Sequence, residues 1–137
     1  MKQKYKLSEL FGIKAAYERL TNFQKLVGDK AVVTPFAFSG KTRWAIAKNI
    51  NKIQDTLKPW DKIVQTLKEK YNIDSSTREI DAQFLAMNEE ATKISNEQEE
   101  ELELSKIPLS ELIDDKNPVS ADVLGVLDKF ELLEITV

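Results

Sequence analysis

The sequence predicts an α+β domain that is mainly α: a long antiparallel helical hairpin, extra short helices, and a small β-sheet formed by the termini and residues 102–107. Three observations carry that prediction. Ile46, Ile50, Ile53, Leu57, Trp60, Val64, Leu67 and Tyr71 recur alternately four and three residues apart. Ile80, Phe84, Met87, Ala91 and Ile94 repeat the spacing, which Gln98 and Glu101 continue in polar form. Such alternation places every member on one stripe of a helix. Only Asn72 to Ser76 separate the two runs, so the stripes are expected to bury one another as a hairpin. Short β-prone stretches near both ends supply the third observation.

In chain order, Lys2 to Leu7 reads as a strand, with Tyr5 and Leu7 on one face. Ser8 is placed to cap a helix carrying Leu10, Phe11, Tyr17 and Leu20 and running to about Leu26. Gly28 and Asp29 end it. Ala31 to Phe38 is apolar but contains Pro35, which fits an extended loop or edge segment. Ser39 caps the long helix, which reaches Tyr71 and spans about 48 Å at 1.5 Å per residue. Pro59 lies in its middle and predicts a kink or a break; the seam keeps its phase from Leu57 to Trp60, which favours a kink. Trp60 is large for a two-helix seam and is expected to reach a third element such as Phe11 or Phe36.

The second hairpin helix is expected to start near Thr77 and to fray in the acidic run from Asn96 to Glu101, which opposes the helix dipole. Leu102 and Leu104 alternate with charges, a strand pattern that Pro108 ends after Ile107. A single helical turn at 109–113, a last helix capped by Ser120, and a β-prone stretch at 130–137 complete the reading. The 137 residues form one domain, with the hairpin over 39–100 and the segments 2–27 and 102–137 packed at one end.

Composition closes off much chemistry. The chain has no cysteine and no histidine, hence no disulfide, no Cys or Ser nucleophile paired with His, and no transition-metal site of the usual kind. No enzyme activity, cofactor or metal is expected. No apolar run approaches the roughly 20 residues that span a bilayer, so a soluble intracellular protein is expected. The net charge of −3 conceals an asymmetry: residues 1–70 hold 15 of the 20 Lys and Arg but 6 of the 23 Asp and Glu. The hairpin offers an internal use for that asymmetry, a basic helix beside an acidic one.

Three constellations are candidates for function. Ser39-Gly40-Lys41-Thr42 contains the end of a phosphate-binding loop, but Pro35 stands where that motif needs its first glycine, so an ordinary helix cap is favoured. Lys41, Arg43, Lys48 and Lys52, with Trp44 among them, could attract an anion or nucleic acid, although Arg43 and Lys48 are not on one tight helix face. Glu97, Glu99, Glu100, Glu101 and Glu103 could present an acidic face to a basic groove on a partner protein.

With these residues laid out, the chain resembles a loose group of small proteins of tailed phages and prophages. The resemblance lies in Tyr5-Lys6-Leu7-Ser8-Glu9-Leu10, in Arg43-Trp44-Ala45-Ile46-Ala47-Lys48-Asn49-Ile50 leading to Leu67-Lys68-Glu69-Lys70-Tyr71, and in Leu102-Glu103-Leu104 followed by Ile107-Pro108-Leu109-Ser110-Glu111-Leu112. The similar proteins usually carry a longer insert after the lysine-rich helix. The resemblance implies phage origin and carries over no catalytic residue.

The function expected is therefore a non-enzymatic, phage-encoded protein that binds a phage structural or host protein, in virion assembly. The alternative is an inhibitor of a host or anti-phage defence enzyme of nucleic-acid metabolism, acting through the acidic surface. Either acts in the cytoplasm of the bacterial host, or in the virion. A second copy of the chain could complete the seam, since Trp44 and Ile63 broaden its apolar face.

Overall fold

The computed structural model describes residues 2–135 and is a mainly helical α+β fold. Strand β1 (Gln3–Lys6) runs straight into helix α1 (Leu7–Glu18). Lys6, not Ser8, is the N-cap residue, and its amide donates to Glu9 Oε1 at 2.8 Å. The helix ends eight residues earlier than its composition suggested. Asn22–Val27 (β2) and Lys30–Pro35 (β3) instead form an antiparallel hairpin, in register from Asn22 opposite Pro35 to Val27 opposite Lys30. Gly28 has φ +65°, and as the first of two turn residues it gives the primed turn whose twist suits a hairpin. A Gly-Asp pair between two β-rich runs was the available signal.

Helix α2 (Gly40–Lys70) begins at Ser39, whose Oγ accepts the Thr42 amide at 3.3 Å. It continues as one helix through Pro59, so the break is not found. The predicted seam is the buried one: Ile46, Ile53, Leu57 and Leu67 are buried, and Ile50, Trp60, Val64 and Tyr71 are half-buried. Helix α3 (Ala82–Glu97) starts later than Thr77. The Asp74 carboxylate accepts the Ser76 amide at 2.8 Å and the Ser76 hydroxyl at 2.6 Å, a turn that competes with helix. Ile80 consequently lies outside the seam and is 72 % exposed, while Met87 is buried.

The two long helices are antiparallel. Lys70 Nζ meets Glu90 at 2.9 Å, and beyond α3 the returning chain places Glu103 beside Lys52 and Ser105 beside Asn49. Their shared face is not a private two-helix seam. Helix α1 packs against both α2 and α3, with Leu10, Ile13 and Tyr17 out of solvent. Trp60 does reach a third element: its ring stands edge-on to Phe11 at 5.5 Å.

The acidic run does not fray from a helix end. Glu99–Leu102 is strand β4, antiparallel to β1. Alternation decides this: Glu100 and Leu102 face inward with Tyr5, while Glu99 and Glu101 face out opposite Lys6 and Lys4. Then come β5 (Ile107–Pro108), the single turn α4 (Leu109–Leu112), α5 (Ala121–Lys129) and β6 (Leu133–Glu134), which pairs parallel with β5. The expected strand over 102–107 is thus two strands. The N-terminal strand takes 99–102 and the C-terminal one takes 107–108, because Leu104 turns into the core and Ser105 is held by Asn49. Of the β-prone stretch 130–137, Thr136 and Val137 lie outside the described residues.

Candidate functional site

The N-terminus of α2 already holds an anion, and the chain supplies it. The Glu111 carboxylate accepts the Ser39 amide at 2.5 Å, the Ser39 hydroxyl at 3.0 Å, and the Thr42 hydroxyl. Burial pushes its carboxyl up, but these hydrogen bonds outweigh burial and hold it below the ordinary glutamate value. Buried Asn117 braces the arrangement by accepting the Ala37 amide at 2.7 Å and donating to the Glu111 carbonyl at 3.1 Å. Thr42 is 2 % exposed. In a phosphate-binding loop the ligand's oxygens would take the place that this carboxylate occupies. No local pattern marked Glu111, which comes from 72 residues away in the chain.

The basic candidates do not form one patch. Lys41 is exposed beside the capped turn. Lys48 lies with Nζ 4.8 Å from the centre of the Trp44 ring, and Trp44 is 64 % exposed. A cation over an indole face is a stable arrangement in water and keeps the tryptophan outward. Lys52 Nζ donates to the Glu103 carbonyl at 2.7 Å, tying α2 to the segment after β4. Arg43 faces a different direction and lines an apolar cavity with Leu20, Phe36 and Ile46.

The acidic candidates are likewise divided. Glu97 is exposed at the end of α3. Glu99 and Glu101 form a mixed-sign ladder with Lys6 and Lys4, rather than a field of one sign. Glu100 accepts from Gln98 Nε2 at 3.3 Å, and Glu103 belongs to the Lys52 tie. Cross-strand pairs of opposite charge favour the β1–β4 register. That accounts for part of the charge asymmetry within the fold.

The surface that residue patterning missed is the β2–β3 ribbon. Leu26 is 76 % exposed and Val33 63 %, with Gln24 and Ala31 on the same face. The opposite face carries Val27 and Val32, also exposed, and at its base the Phe23 ring lies 4.8 Å from Phe36. A cleft of about 430 Å³ runs between β2 and the loop containing Asp115, Lys116 and Pro118. Among the described residues the ribbon has no third strand. Two strands exposed on both faces are marginal alone, and four outward aliphatic side chains on them form a surface suited to cover by another molecule.

Among the described residues no group of three or more acidic side chains is placed to hold a metal ion, and no helix is long and apolar enough to cross a membrane. No family model matches the chain, and comparison with curated proteins and with solved structures likewise finds no match.

Proposed function

We propose that this protein is a non-enzymatic interaction protein of phage origin, working in virion assembly in the bacterial cytoplasm, and that its partner docks on the β2–β3 ribbon. The carrying observation is the exposure of Leu26 and Val33 on one face of a ribbon that no third strand completes. A partner packing over that face would cover Leu26 and Val33, and an extended segment of it adding to the outer edge of β3 would gain backbone hydrogen bonds. The charged sets support a docking role for the acidic face less well, since Lys4 and Lys6 stand among its glutamates. Phage origin is supported by the resemblance of the Tyr5–Leu10, Arg43–Ile50 and Ile107–Leu112 stretches.

Capture from infected cells tests this. Tagged protein should retain a capsid, portal or tail protein after nuclease treatment. The Leu26→Lys, Val33→Lys double variant should lose it while melting at the same temperature. Undiminished capture by that variant would sink the docking assignment. If the captured species is instead a host polymerase or nuclease, and Glu97→Lys releases it, the inhibitor reading takes over.

A further inference from the structure

We propose that the cavity between the end of α1, the segment after β3 and the first half of α2 binds a small amphipathic monocarboxylate. Its hydrocarbon chain would lie among Leu20, Phe36, Phe38, Ile46 and Ile50, and its carboxylate against Arg43. This goes beyond the ribbon and does not depend on it.

The cavity measures about 310 Å³ and is open on one side. Its floor is built by three separate elements: Leu20 from α1, Phe36 and Phe38 from the linker after β3, and Ile46 and Ile50 from α2. All but Ile50 are buried, so their positions are set by the core. Collapse is prevented from two sides. The Phe36 and Phe38 rings stack in parallel, 5.1 Å apart and 4° from coplanar, and Phe36 is held from behind by Phe23. On α2 the residue one turn after Arg43 is Ala47, whose methyl leaves the space unfilled. Water in an apolar recess finds few hydrogen-bond partners, so its displacement by hydrocarbon is favourable.

Charge selects the head group. Arg43 lines the cavity, and its guanidinium has, among the described residues, no carboxylate or hydrogen-bond partner. The adjacent Thr42 is engaged by Glu111. The Thr21 hydroxyl is the other side-chain polar group on the lining. A guanidinium recognises a carboxylate through paired N–H donors, and here it adjoins an apolar slot of ligand size. The lining offers no titrating base or nucleophile, so the inference is binding without chemistry.

The probe is sodium octanoate, titrated into the full chain by calorimetry, with 1-octanol and octylamine as chain-matched controls. Octanoate should bind more tightly than octanol, and octylamine weakest. Arg43→Gln should weaken octanoate by about tenfold and abolish its advantage over octanol. Ala47→Trp, at an exposed helix position, should block octanoate and octanol alike. Amide shifts of Thr21, Phe38 and Ala47 in the wild-type protein locate the ligand even if that variant folds poorly. Equal affinity for octanoate and octylamine, no shift at those amides, or no binding of octanoate would overturn the proposal.

Discussion

Asn49 Nδ2 donates to the hydroxyl of Tyr17 at 2.9 Å, at a point where both side chains are at 0 % exposure. The same amide group donates to the Ser105 carbonyl at 2.8 Å and accepts the Ser105 amide at 2.8 Å. One side chain thus joins α1, α2 and the segment that separates β4 from β5. A buried polar residue in the middle of an apolar helix face is costly unless every group is matched, and here every group is.

Asn49→Ala should therefore destabilise by about 2–4 kcal/mol, because it strands the Ser105 backbone groups and the Tyr17 hydroxyl as well as leaving a void. Tyr17→Phe should cost only about 1 kcal/mol, since the Asn49 amide keeps its Ser105 bonds. Urea unfolding of both variants checks the order. Equal losses would mean that Asn49 does not organise Ser105.

Acid sensitivity should map to Glu111. Its native carboxyl lies below the ordinary value of 4.5, so its ionised form stabilises the fold above that pH. The contribution disappears as pH falls from there through the depressed native value. Glu111→Gln should be less stable than wild type at pH 7, and the gap should narrow toward acid. Melting temperatures across pH 7 to about 3 provide the test, and a gap that stays constant would remove the ionised carboxylate from the account.

Alkaline pH should act on Tyr17. Burial raises its phenol above the ordinary 10.0, against the opposing hydrogen bond from Asn49. Below pH 10 both folded and unfolded chains keep the proton, and no effect follows. Above it the unfolded chain ionises first, so stability falls as pH rises. Tyr17→Phe should flatten that decline in thermal melts, leaving the shares of Tyr5, whose phenol is raised chiefly by burial, and of Tyr71, raised chiefly by its hydrogen bond to Glu90.

Replacing Glu99 and Glu101 by lysine should weaken the β1–β4 pair, because each new cation faces Lys6 or Lys4. The melting temperature should drop at low salt and recover toward wild type in about 1 M salt, where screening acts within roughly 3 Å. An unchanged melting temperature at low salt would show that the ladder contributes nothing.

Pro59→Ala should stabilise by about 2 kcal/mol. The position is exposed and helical, and alanine restores the amide that proline withholds from the Asp55 carbonyl. A loss of stability instead would mean that the helix bends at Pro59 to fit α1.

What the sequence alone determined is the architecture carried by periodicity. The α2 stripe from Ile46 to Tyr71, the Ser39 and Ser120 caps and the helical majority follow from spacing and short-range hydrogen bonding, which a linear reading can see. Tertiary structure alone decided the rest. The acidic run became a strand because β1, with Lys4 and Lys6, lies opposite it across nearly a hundred residues of chain. Glu111 reached the α2 N-terminus through packing between segments far apart in the chain. Patterns of one helix or strand depend on neighbours a few residues away, whereas the sites depend on which distant surfaces meet, and no local spacing encodes that meeting.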